Sequence, residues 1–199
     1  MAQHPSWNSV YEGSPPWDIG RPQPDFVMLA DAGKFHGHML DVGCGTGERV
    51  MLAASHGAEA MGMDVAELAI ERARAKAQQR GINAMFEVGD VLHLDRLRRQ
   101  FDVITDSGVF HVFDDEERPV YVNSLRSALR TGGMYYLMCF SDRQPGDWGP
   151  RRVSQAELRA AFVDGWSIRS IDPATFAVTI DHNGAQAWLA AIEIGRAHV

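Results

Sequence analysis

From about residue 38 onward, short apolar runs alternate with amphipathic stretches. That is the pattern of strands and helices laid down in turn. Strands are expected over about 38–43, 58–64, 83–88, 101–106 and 134–140. Helices are expected over about 46–56, 66–79, 115–130 and 154–163, with a short helix around 91–99. In the second helix Ala66, Leu68, Ala69, Ile70 and Ala73 stand beside Glu67, Glu71 and arginines, and Gly81 supplies the C-terminal stop. Asp114 to Glu117 place acids where a helix start is positive, and Ser154-x-x-Glu157 has the spacing of a capping box. Two last strands, about 166–172 and 186–194, are expected to form a closing hairpin with a long connection. Such alternation predicts one α/β domain over 1–199, with a largely parallel sheet. Residues 1–25 break the pattern. They are rich in Pro, Gly and aromatics (Trp7, Tyr11, Trp17), too apolar for a free tail, and read as a cap over the active site.

The chemistry concentrates where the first strand ends. Leu40-Asp41-Val42-Gly43-Cys44-Gly45-Thr46-Gly47 is an apolar strand running through an acid into a glycine turn and a helix. Gly43, Gly45 and Gly47 let the backbone approach a nucleotide-like ligand closely. The second strand ends in Asp64, where a Rossmann-like fold holds ribose hydroxyls, with Val65 placed to press on a base. The glycine spacing is Gly-x-Gly-x-Gly, not the Gly-x-Gly-x-x-Gly under a dinucleotide pyrophosphate. Asp41 would also repel a pyrophosphate, which speaks against an NAD-type oxidoreductase.

A formal charge of -7 disfavours a nucleic-acid partner. The arginine clusters at 72–80 and 96–99 are interrupted by acids and read as solvated faces. Cys44 and Cys139 lie in no Cys-x-x-Cys, so neither a disulfide framework nor a zinc site is expected. No run is apolar enough to span a bilayer and no leader pattern opens the chain, so a cytoplasmic protein is expected. His36-x-His38 lies at the wrong end of the sheet for a ligand site, and no metal is expected.

With Asp64 and the later Gly89-Asp90-Val91, the glycine turn resembles the first motif of class I S-adenosylmethionine (SAM)-dependent methyltransferases. The resemblance implies a three-layer sandwich around a mostly parallel seven-stranded sheet with an antiparallel last strand. It implies SAM as cofactor, with S-adenosylhomocysteine as product. It places Asp41, Gly43, Cys44, Gly45, Gly47, Asp64 and Val65 at the cofactor, with Asp90 and Val91 at its adenine and Asp106 and Ser107 at the end of strand 4. Ser14-Pro15-Pro16-Trp17-Asp18-Ile19-Gly20-Arg21-Pro22-Gln23-Pro24 is similar to a segment of the thiopurine and thiol/halide methyltransferase-like branch. It implies that Trp17 packs on the cofactor and Arg21 meets its carboxylate; core packing for Trp17 and a surface charge for Arg21 are the other readings. Ser107 stands where the thiopurine enzymes carry arginine and the thiol/halide enzymes an aromatic, so neither substrate transfers directly.

His111, an imidazole with an ordinary pKa near 6.5, is the candidate base; packing in the Phe110–Phe113 apolar run is the alternative. Tyr11 is a candidate for orienting the acceptor. Trp7, Phe110, Trp148 and Arg151 are candidate walls of an acceptor pocket, whose aromatics suggest a flat, apolar small molecule. O-methylation of an aromatic hydroxyl or N-hydroxyl is favoured. S-methylation of a small thiol and a non-catalytic SAM-binding module are the rivals. A monomer or weak homodimer is expected.

Overall fold

The structure is a computed structural model that describes residues 6–195. Residues 1–5 of the expected cap lie outside it. The strands are β1 (His38–Val42), β2 (Glu59–Asp64), β3 (Met85–Val88), β4 (Phe101–Ser107), β5 (Leu129–Phe140), β6 (Trp166–Val178) and β7 (Asp181–Ile194). They form one sheet of order β3-β2-β1-β4-β5-β7-β6. The first five are parallel, and β7 runs antiparallel to both of its neighbours. The order reverses between β1 and β4, the crevice where open α/β sheets bind ligands.

Alternation along each strand assigns the two faces. Leu40, Ile104, Tyr135, Leu137 and Cys139 pack on one side; Met39, Val103, Tyr136, Met138 and Phe140 pack on the other. The helices are α1 (Trp7–Val10), α2 (Pro24–Asp31), α3 (Glu48–Ser55), α4 (Glu67–Arg80), α5 (Glu117–Ala128) and α6 (Gln155–Ala161). The first face is covered by α5, α6 and a 3-10 segment, Val91–Leu97; the second is covered by α2, α3 and the inner edge of α4. The inner edge of α4 is Ala69, Ile70, Ala73 and Ala77 at helical spacing, and Gly81 closes it in the left-handed conformation. The Ser154–Glu157 capping box forms at α6. No helix among the described residues is long and apolar enough to cross a membrane.

The closing hairpin departs from the sequence expectation. Its strands are much longer than the apolar core runs, and only Thr179 and Ile180 separate them. The segment that read as a long connection pairs from Asp172↔Leu189 out to Val178↔Asp181. Half-buried Ala174 and buried Phe176 pack in the cluster that α2 covers, among exposed and half-buried neighbours, so the apolar signal fades while the pairing continues.

That extension carries the cap. The buried side chain of Gln23 accepts the Ala177 N–H at 2.8 Å and donates to the Ala177 carbonyl at 2.9 Å. The Thr179 N–H donates to the Pro16 carbonyl at 2.9 Å. Gln23→Leu leaves a backbone donor and acceptor of Ala177 unpaired, each worth about 1–3 kcal/mol if buried. The variant is expected to unfold at lower urea, with roughly 2 kcal/mol lost; an unchanged midpoint would mean the cap is not held here.

Candidate active site

Two carboxylates organise the carboxyl ends of the parallel strands. Asp64, 7% exposed at the end of β2, accepts the Gly45 N–H and the Ala66 N–H, each at 2.9 Å. Burial raises its pKa, against those hydrogen bonds. It thus holds the glycine turn against the start of α4. Asp41 is fully buried in β1; its Oδ1 accepts the Thr105 hydroxyl at 2.7 Å and Arg49 Nε at 2.9 Å. Its Oδ2 is buried with no partner among the described residues, as is Arg49 Nη2. Arg49, on α3, escaped the sequence reading, because only the fold shows that it turns back on the strand acid.

The glycine turn is lidded by the cap. Gly45 is left-handed, and a Cβ there would lie 2.8 Å from the Tyr11 hydroxyl. That hydroxyl accepts Trp17 Nε1 at 3.2 Å, and Trp7 meets Trp17 edge-on. Tyr11 and Trp7 also pack on Ala66 and Ala69 of α4. Val65 follows Asp64 as an exposed apolar residue, 54% accessible. Asp90 caps the 3-10 segment through the Leu92 N–H at 2.9 Å and is itself exposed, while Val91 is buried. Arg21 is exposed, and Cys44 is buried beneath the turn with its thiol pushed up by burial.

Several expectations need correction. Gly47 faces Phe86 and Ala73, so its missing side chain serves packing of α3 on α4 and β3. Asp106 does not reach the cleft: it is fully buried and accepts four donors. These are the Val109 N–H at 2.7 Å, the Phe110 N–H at 3.1 Å, the Tyr121 hydroxyl at 2.8 Å and the Tyr135 hydroxyl at 2.6 Å. Burial pushes its pKa up to about 6, against the pull of those bonds. Ser107 beside it is half-buried at the end of β4. Phe110 enters the core instead of an acceptor wall; it is fully buried against Phe162 and under Arg118. Arg151 turns to Asp115 and Glu157, at 2.6 Å each, and is held there by charge. The expected single aromatic wall is therefore two groups: Trp7, Tyr11 and Trp17 at the glycine turn, and Trp148 elsewhere.

That second group stands at the ends of β4 and β5. Trp148 packs edge-on against Phe140, which in turn packs edge-on against Phe176 and His111. Phe140 and Phe176 were not singled out in the sequence; Phe176 lay in the supposed connection. His111 is 6% exposed and its Nδ1 accepts the Phe140 backbone N–H at 3.0 Å. Burial, with Arg118 and Arg152 nearby, lowers its pKa to about 3. A group so weakly basic is poorly suited to take a proton at neutral pH, which corrects its expected role as general base.

Residues 39–133 match the methyltransferase domain family. The chain is 37% identical over 163 residues to 2-heptyl-1-hydroxyquinolin-4(1H)-one methyltransferase of Mycobacteroides abscessus, covering 80% of this chain and 72% of that protein. It is 32% identical to thiocyanate methyltransferase 1 of Brassica oleracea, over 86% and 78% of the two chains. A solved structure concerned with conversion of a disulfide bond into a thioacetal group during echinomycin biosynthesis superposes with a TM-score of 0.87. It is 34% identical and covers 95% of this chain and 92% of its own. The chain is a class I SAM-dependent methyltransferase of the thiol methyltransferase-like branch. The residues present fit SAM. The unpaired Oδ2 of Asp41 is a buried acceptor without a proton donor among the described residues, the complement of an ammonium.

Two outcomes follow for the methyltransferase. Asp106→Ala strands four donors, each costing about 1–3 kcal/mol when buried, so urea unfolding should show a loss of at least about 3 kcal/mol; a change under about 1 kcal/mol would refute the anchoring role. For His111, the folded pKa of about 3 lies below the ordinary 6.5. The unfolded chain then binds the extra proton first, and the stability from neutral His111 is lost as pH falls from 6.5 towards 3. His111→Phe should flatten that part of the stability–pH curve; an unaltered curve would mean His111 titrates normally.

Proposed function

We propose that the methyltransferase transfers a methyl group to a hydroxyl or N-hydroxyl oxygen of a small aromatic or heterocyclic molecule. The observation that carries this reading is the aromatic group at the ends of β4 and β5, in which buried Phe140, Phe176 and His111 back the exposed Trp148 ring, the apolar face suited to a flat ring. The 37% identity to a protein named for a hydroxyquinolinone supports it. SAM, when bound, supplies a methyl group on a sulfonium that is already a good leaving group.

In this reading Asp64 receives the ribose and the free Oδ2 of Asp41 the ammonium. Asp90, Val91 and Val65 meet the adenine. Trp17 and Tyr11 close over the glycine turn, and Arg21 reaches the carboxylate as the cap settles. What remains for the protein is to hold donor and acceptor in line and to exclude water. The cap, tied to the β6–β7 hairpin through Gln23 and Pro16, spans both halves of the site. A second reading, S-methylation of a small thiol, is supported by the likeness to thiocyanate methyltransferase 1.

Incubation with SAM and a panel of N-hydroxy heterocycles, phenols and thiols, read by mass spectrometry, tests this. A one-methyl mass gain on oxygen acceptors is expected; gain on thiols alone would select the second reading. Asp64→Ala should weaken SAM binding at least about tenfold by calorimetry, about 1.4 kcal/mol; unaltered affinity would remove Asp64 from the cofactor site.

A further inference from the structure

His111 offers the site a donor, not an acceptor. A neutral imidazole has one nitrogen of each kind, and Nδ1 is spent accepting the Phe140 N–H at 3.0 Å. The proton therefore sits on Nε2. Nε2 faces Gly108, the left-handed residue after β4, where a Cβ would lie 3.2 Å from it and 3.4 Å from Phe176. A side chain at this position would crowd the nitrogen.

The surroundings are electropositive. The charged groups acting on the ring are Arg118 from α5 and Arg152 from the loop after β5. Arg118 also binds Glu157 at 3.1 Å. Arg152 lies over the Phe140 ring and donates to the carbonyls of Gln144, Pro150 and Gly146, with no carboxylate among these partners. From β5 and β6 the ring packs on Phe140 and Phe176.

The acids at the strand ends are engaged, save Oδ2 of Asp41, which the reading above gives to the ammonium. Asp106 accepts four donors, Asp64 two backbone N–H groups, and Asp41 the Arg49–Thr105 pair. Burial pushes the Tyr11 hydroxyl up, so it too is a poor proton acceptor in its neutral form. A neutral donor and a nearby cation suit an anion better than a neutral hydroxyl awaiting deprotonation.

We propose that His111 Nε2–H, with Arg152 behind it, binds the methyl acceptor as a preformed anion, so that the enzyme selects acidic N-hydroxy heterocycles and thiols over weakly acidic phenols. The acceptor surrenders its proton to water before binding, and its lone pair is then free to form the bond to carbon. This rests on the acceptor site proposed above.

The test uses the full chain with S-adenosylhomocysteine and a nitrophenol or nitrothiophenol, whose anions are coloured. Absorbance against pH reports the ionisation of the bound molecule without turnover. In the wild type its titration should fall by about one pH unit or more, equal to tenfold preference for the anion. His111→Phe should abolish the shift, His111→Gln, which keeps an N–H donor, should restore most of it, and Arg152→Gln should reduce it. A bound molecule that titrates as in water, or a full shift in His111→Phe, overturns the proposal. So does a kcat/KM–pH profile with one midpoint for every acceptor that disappears in His111→Phe. Midpoints that track each acceptor's own acidity support it. Preferential anion binding without methyl gain on any acceptor would instead refute the proposed function and leave this assignment standing.

Discussion

Four hydrogen bonds converge on the carboxylate of Asp106 at the carboxyl end of β4, and the path of the chain from β4 to His111 depends on them. Two come from the backbone N–H groups of Val109 and Phe110, one from Tyr121 on α5 and one from Tyr135 on β5. A buried carboxylate without such partners would be strongly unfavourable, so its demand for donors dictates the local path of the chain. The chain must reverse at Gly108, which only a residue without a Cβ does readily. The reversal lays His111 back against Phe140. Asp64 does the equivalent at β2, drawing Gly45 and Ala66 together. Each strand end is a turn built around a carboxylate.

These two halves are bridged from outside. The cap places Tyr11 and Trp17 over the glycine turn, while Gln23 and Pro16 dock on the outer part of the β6–β7 hairpin. Phe176 belongs to that same outer part and touches His111. The cap and the His111 ring therefore rest on the same outer part of β6. The helices contribute scaffolding: α4 brings its alanine edge close to the sheet so that Gly47, Phe86 and Ala73 can meet.

What the sequence revealed is what is local. Leu40 to Gly47 and Asp64 show their strand, turn and acid within a few residues, because glycine conformation and strand alternation are local properties. Helix ends at Gly81 and Ser154 were legible for the same reason. What it concealed depends on partners far along the chain. Asp106 looks like a ligand-facing acid until Tyr121 and Tyr135 are seen to claim it. Arg49 looks like a surface charge of a helix until it is found on Asp41. Phe110 and His111 occupy one apolar run, yet one enters the core and the other turns to β5. Phe176 sits where alternation is blurred by a half-covered sheet face.

The central claim is that the site is assembled from engaged acids and a neutral, oriented imidazole, rather than around a base poised at neutral pH. Nitrogen-15 NMR of the His111 ring, followed from pH 5 to pH 9 in the uniformly labelled protein, tests it most directly. The account predicts one tautomer throughout, with the proton on Nε2 and no titration, as expected for a pKa lowered to about 3. A ring that titrates near 6.5, or that carries its proton on Nδ1, would contradict it.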